Sequence, residues 1–209
     1  MKRILILTLM LLVVMLGTTA FGVQALLNDT ETSTNTFTAG VLDLEIGGVG
    51  TAGFDVGGLN VGSQINSGYG KWICNNVGNI PGYLNICNIT LTNQENGREE
   101  PEIEAGDTTG GNPGVGNGEL QNLLTILLFV DVDGDGWNGA GDIVIYNGPM
   151  TGLPASATFD YQLVAGGSVN IQPVINWPNH DNNTDSQAMG DSVHLDITFC
   201  LTEGPNYNN

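Results

Sequence analysis

Positive charge is nearly missing from this chain. Its 209 residues hold only four lysines and arginines, Lys2, Arg3, Lys71 and Arg98, against 22 aspartates and glutamates. Nucleic-acid binding needs a basic surface, so that class of partner is excluded. Histidine is scarcer still. His180 and His194 are the only two, and neither sits in H-E-x-x-H, so a zincin site is excluded. Three cysteines, Cys74, Cys87 and Cys200, show no metal-type spacing, which argues against zinc and iron–sulfur centres. No G-x-S-x-G occurs, and no P-loop or dinucleotide fingerprint follows a strand and opens a helix. Catalytic arrangements are therefore scarce, and the reading is of a protein that is not an enzyme. Long apolar runs are missing too. The stretch Ile4–Leu16 falls short of the roughly 20 residues that span a bilayer.

That short run has another use. Met1-Lys2-Arg3 followed by Ile4–Leu16 and Gly17 is the n-region and h-region of a secretory signal. Val23-Gln24-Ala25 places small residues at the −3 and −1 positions of a cleavage site. The sequence predicts a signal peptide over 1–25, cut by signal peptidase after Ala25, and a secreted chain of residues 26–209. The alternative, an uncleaved anchor, is opposed by the length of the run. Cleavage removes Lys2 and Arg3 and leaves two cations against 22 acids, a formal charge of −20. Such a surface is highly soluble and attracts cations, Ca²⁺ in particular.

The secreted part has the size of one domain. It is rich in Gly, Asn and Thr and poor in helix formers. Leu42, Leu44 and Ile46 share one face of a half-buried strand. Residues 47–70 read as a Gly-rich loop with at most one short strand. Trp72–Val77 and Tyr83–Thr92 read as strands joined through Gly78-Asn79-Ile80-Pro81-Gly82. In the second, Leu84, Ile86, Asn88 and Thr90 face one way and Cys87, Ile89 and Leu91 the other. Residues 93–118 are polar, with Pro101, Pro113 and many glycines, and read as a flexible insertion, ending in one helical turn at 119–123. Leu124–Val130 is continuous enough for a strand buried on both faces. Further strands are expected at 143–146, 158–164, 168–177 and 192–202, the last with Val193, Leu195, Ile197 and Phe199 inward. Eight or nine strands without a long repeat predict an all-β, two-sheet sandwich of jelly-roll or Ig-like type.

The sharpest local motif is Asp131-Val132-Asp133-Gly134-Asp135-Gly136-Trp137-Asn138-Gly139-Ala140-Gly141-Asp142. It fits D-x-D-x-D-G with an acid at the twelfth position, the pattern of a calcium loop. Asp131, Asp133 and Asp135 would converge on one Ca²⁺ as the chain curls, Gly136 would turn the Trp137 carbonyl inward, and Asp142 would close the far side. The competing reading is an acidic hairpin loop without an ion. An odd number of cysteines predicts one disulfide and one spare thiol. If the strands around Ile80-Pro81 form a hairpin, Cys74 and Cys87 lie opposite each other within disulfide reach. The competing pairing takes Cys200 to one of them. Sequons at Asn28, Asn88 and Asn182 are candidate glycosylation sites.

The segment Asn28-Asp29-Thr30-Glu31-Thr32-Ser33-Thr34-Asn35-Thr36-Phe37-Thr38-Ala39-Gly40-Val41-Leu42-Asp43-Leu44 resembles the start of the TasA/camelysin family. Asn76-Val77-Gly78-Asn79-Ile80-Pro81-Gly82 resembles that family's N-x-G-N-x-P-G turn, and Asp185–Phe199 its closing strand. The resemblance implies a jelly-roll subunit of extracellular fibres, such as biofilm matrix fibres and archaeal bundling pili. It implies that copies of the chain join head to tail by donor-strand exchange. The donor would lie in 26–36, beginning Leu26, Leu27, Asn28, Asp29, Thr30 and Glu31, with Leu26, Leu27 and Phe37 as apolar plugs. Some members of the family are metalloendopeptidases, but no ligand set for that role is present. A camelysin-like secreted protease and a monomeric Ca²⁺-dependent surface adhesin are the alternative functions.

Overall fold

The computed structural model describes residues 40–48, 53–56, 61–65, 70–97, 100–107, 114–115 and 118–205. The expected signal peptide, the candidate donor strand 26–36 and the sequon at Asn28 lie outside these residues.

Eleven strands and a few short helical turns make up the regular structure of the described residues. The strands are β1 (Leu44–Gly48), β2 (Gly53–Val56), β3 (Gln64–Ile65), β4 (Trp72–Asn76), β5 (Gly82–Glu95), β6 (Gly114–Val115), β7 (Thr125–Asp131), β8 (Ile143–Pro149), β9 (Ala157–Leu163), β10 (Ser168–Asn176) and β11 (Ser192–Thr202). The helices are α1 (Glu100–Glu104), α2 (Leu120–Leu123) and α3 (Asn182–Ser186), with a 3₁₀ turn at Met150–Gly152. Two antiparallel sheets result. One runs β1-β4-β10-β7-β8, with β3 also on β10; the other runs β2-β11-β5-β6, with β9 also on β5. The expected all-β, two-sheet sandwich is what the chain forms. The extra strands, β2, β3 and β6, are two to four residues long and sit in Gly-rich sequence, where too few side chains exist to set a period.

The core lies between the sheets. Ile126, Leu128 and Val130 of β7, Val169, Ile171 and Ile175 of β10 and Trp72 of β4 meet Leu84, Ile86 and Ile89 of β5 and Val193, Leu195, Ile197 and Phe199 of β11. Trp72 and Phe199 touch across the gap, ring centres 5.9 Å apart. Burial of each such side chain contributes about 1.5–3 kcal/mol. The β7 run, expected to be buried on both faces, is so only in its second half: Phe129, opposite in phase to Leu128 and Val130, is fully buried, while Thr125 and Leu127 are half-buried.

The turn after β4 is a corner between the sheets. The sequence reading of β4 and β5 as one hairpin is therefore corrected: β4 pairs with β1 and β10, while β5 pairs with β11 and β9. Asn76, fully buried, holds the corner. Its Nδ2 donates to the Ile80 and Leu163 carbonyls and its Oδ1 accepts from the Gly78 N–H. Gly78 is required, because a Cβ there would collide with the Val41 carbonyl oxygen. The Asn79 side chain accepts from the Val41 N–H at 2.7 Å.

The disulfide expectation is corrected with it. Cys87 is bonded to Cys200, with Cα atoms 5.8 Å apart, and Cys74 is free and buried. With β4 and β5 in different sheets, Cys74 faces the intersheet core and not Cys87. Register explains the new pairing. Thr198 pairs with Asn88 but Phe199 pairs with Ile86, so Cys87 is the extra residue of a β-bulge. The bulge turns Cys87 toward Cys200, which pairs with Asn85. It also switches the inward phase of β5. Leu84 and Ile86 are buried before it and Ile89 after it, while Asn88 and Thr90 are exposed. The sequence reading placed Ile86 and Ile89 on opposite faces because strict alternation cannot register one inserted residue.

A second irregularity is held by a polar side chain. Between Leu84 and Ile86 the register with β9 slips, and Asp160 takes φ of +48°, the one positive value outside glycine among the described residues. Asn85 fastens it. Its Oδ1 accepts from the Phe159 and Asp160 N–H groups, each at 2.8 Å, and its Nδ2 donates to Asp160 Oδ1.

Candidate functional site

The loop from Asp131 to Asp142 joins β7 to β8. Its first aspartate is also the last residue of β7, which is why it alone is buried while Asp133 and Asp135 are exposed. Three glycines adopt positive φ, Gly134 at 78°, Gly136 at 83° and Gly141 at 109°. Those values let the chain curl tightly without a Cβ clash. The curl aims backbone N–H groups at carboxylates. Asp131 Oδ1 accepts from Gly134 at 2.8 Å and its Oδ2 from Gly136 at 3.2 Å. Asp135 Oδ1 accepts from Trp137, and the two oxygens of Asp142 accept from Val132 and Gly139. Asp131 is braced from behind by the side-chain amides of Gln172 and Asn170 on β10.

Burial pushes the Asp131 carboxyl up. The amides of Gln172 and Asn170 and the N–H groups of Gly134 and Gly136 outweigh it and hold the group below the usual carboxylate range. It stays ionised at neutral pH. Asp131, Asp133 and Asp142 each bring one oxygen within 4.8 Å of the others. Asp135, predicted with them, lies outside that trio, and the Trp137 side chain is exposed. Three hard, anionic oxygens gathered in one loop suit a cation of the Ca²⁺ type.

A second concentration of carboxylates was missed in the sequence. Glu95, at the end of β5, and Glu102, in α1, are fully buried; Asp107 and Asp191 nearly so. Glu119 joins them, half-buried, just before α2. Oxygens of Glu95, Glu102 and Asp191 lie within 4.8 Å of one another, and so do those of Glu95, Asp107 and Glu119. Burial raises the Asp191 carboxyl, and the charges of Glu95 and Glu119 add to that; the Glu119 and Leu120 N–H groups oppose it, leaving it at about 7. Three of the five acids fall in 93–118, read from sequence as a flexible insertion. Their burial, Glu95 in β5, Glu102 in α1 and Asp107 just after it, could not be foreseen from polar composition.

The histidines are apart from both groups. His180 Nδ1 sits 3.0 Å from Asp185 Oδ1, and His194 Nε2 3.1 Å from Asp196 Oδ1. Neither belongs to a set of three or more metal-ligating side chains among the described residues. Asn88 is exposed on β5, its amide donating to Thr90 Oγ1 at 3.0 Å. Asn182 is exposed at the start of α3, where Asp181 caps the helix by accepting from Thr184 N–H and Oγ1. No described helix is long and apolar enough to cross a membrane. No family model matches the chain, and no curated protein is significantly similar to it.

Proposed function

We propose that the chain is a structural subunit of an extracellular filament, a pilus or biofilm matrix fibre, that polymerises by donor-strand complementation. The observation that carries the proposal is an antiparallel sandwich whose sheet edges are unpaired among the described residues. Among the described residues β8 hydrogen-bonds to β7 alone, which leaves a seven-residue edge with Val144 exposed. At the border of the other sheet, β2 pairs, among the described residues, only with β11. An open edge is a template for a strand from another copy, and a head-to-tail contact of that kind does not close. The segment 26–36 supplies the strand: two leucines, then polar residues and threonines. The Cys87–Cys200 disulfide supports the extracellular setting, because such bonds persist where the environment is oxidising.

Ca²⁺ in the 131–142 loop would tie the β7–β8 turn, next to the β8 edge, into one conformation. The protease reading draws no support from histidines that are each engaged by an aspartate at separate places. Electron microscopy of cell-surface material, with and without chelator, separates the readings. Filaments built of this chain support the proposal. Dispersed monomer with chelator-sensitive adhesion supports the adhesin, and chelator-sensitive casein hydrolysis supports the protease.

A further inference from the structure

Buried carboxylates are the most costly groups a fold can hold unless a counter-charge meets them. Four of them, Glu95, Glu102, Asp107 and Asp191, converge with the half-buried Glu119 where the end of β5, α1, the turn before α2 and the turn before β11 come together. The surrounding backbone is built for the purpose. Asn93 Nδ2 donates to the Gly118 carbonyl at 2.7 Å, Asn96 Nδ2 to Gly190 at 2.8 Å, and Gln187 Nε2 to Ala105 at 3.1 Å. Each bond fastens one of the converging segments to another.

Two of the carboxylates are oriented in the same way. Glu95 Oε1 accepts from the Gly97 N–H at 2.7 Å, and Asp191 Oδ2 accepts from Glu119 at 2.6 Å and Leu120 at 3.3 Å. Their other oxygens, Glu95 Oε2 and Asp191 Oδ1, are buried and have no hydrogen-bond partner. Native folds seldom leave such atoms unmatched. One oxygen tied to backbone and the other held ready is the arrangement of an oriented metal ligand.

We propose that this cluster is a Ca²⁺ site centred on Glu95, distinct from the 131–142 loop, with Glu102, Asp191, Asp107 and Glu119 around it. The donors are all carboxylate oxygens, which selects a hard cation over zinc or copper. Ca²⁺ holds its ligands at about 2.4 Å, so oxygens on opposite sides of it stand about 4.8 Å apart. The oxygens of each triad lie close enough together for such coordination. The ion fastens Glu102 and Asp107 to the end of β5 and the start of β11, so its binding adds to the stability of the fold. The site does not depend on the filament reading or on the loop.

The test uses purified protein stripped with a chelator and titrated with Ca²⁺ by calorimetry, with melting followed in parallel. The loop is silenced by Asp131→Asn with Asp133→Asn. That variant is expected to keep at least one bound Ca²⁺ and a Ca²⁺-dependent rise in melting temperature. Adding Glu95→Gln with Asp191→Asn is expected to weaken the remaining binding about 100-fold. It should also raise the melting temperature of the metal-free protein, since like charges no longer oppose. If that variant fails to fold, Glu102→Gln alone is expected to weaken binding. No Ca²⁺ response in the loop-silenced protein overturns the proposal, as does full binding after the Glu95 and Asp191 changes. Arg98 is close to Glu95 in sequence. Ca²⁺ binding that appears only in Arg98→Gln would give the counter-charge to that arginine and overturn the proposal as well.

Discussion

Single polar side chains fasten this sandwich at points where the backbone leaves regular geometry. Asn76 satisfies three backbone groups at the corner between the sheets. Asn76→Ala leaves those groups without it in a buried setting and is expected to cost about 2–4 kcal/mol, read from urea denaturation as a lower midpoint at unchanged slope. Asp185, in α3, gathers one backbone group and two side chains, accepting from the His180 N–H and from the Trp177 indole at 2.9 Å, with the His180 ring beside it. Burial raises its carboxyl, but the bonds from His180 and Trp177 outweigh that and hold it below the usual range. A depressed folded pKa contributes stability that is present above the unfolded value of about 3.9 and is lost as pH falls through the folded one. Asp185→Ala should therefore destabilise at pH 7 by about 2 kcal/mol. The gap from wild type should narrow steadily below pH ~4 in denaturation curves taken as a series. Burial alone lifts the Cys74 thiol to about 12. It should resist alkylation in the folded protein and react once the chain is unfolded.

At the scale of strands, the bulge at Cys87 links register, phase and the disulfide. The bond closes a separation of 113 residues. Its removal by Cys87→Ser with Cys200→Ser is expected to cost about 2–5 kcal/mol, seen as a lower urea midpoint. Strands with clean alternation were legible in the sequence. β11 has the bounds and the inward set that Val193, Leu195, Ile197 and Phe199 announce, and β7 is a strand where its apolar run implies one, buried on both faces in its second half. What alternation could not show is a break in alternation. The single extra residue at Cys87 moved Ile89 to the face of Ile86 and turned Cys87 toward Cys200, while the corner at Asn76 put Cys74 in the other sheet. The 131–142 loop was legible because its glycines and aspartates are spaced by the needs of one turn. The Glu95 cluster was not, because its five acids come from segments spread over nearly 100 positions and only folding brings them together. Within the loop, Asp131→Asn is expected to remove that loop's share of Ca²⁺-dependent stabilisation, measured as a smaller rise in melting temperature on adding Ca²⁺.

At the largest scale, the described residues form an all-β sandwich with edge strands that no other described strand covers, and the proposal that matters most is that 26–36 of one copy completes a sheet of the next. The direct test compares protein starting at Leu26 with protein lacking Leu26–Thr36, both examined by negative-stain electron microscopy under the same conditions. The account predicts long filaments from the first and none from the second. It also predicts that a synthetic peptide of residues 26–36, added in excess to the first, shortens the filaments by occupying the acceptor edge. Normal filaments from the truncated protein would contradict it.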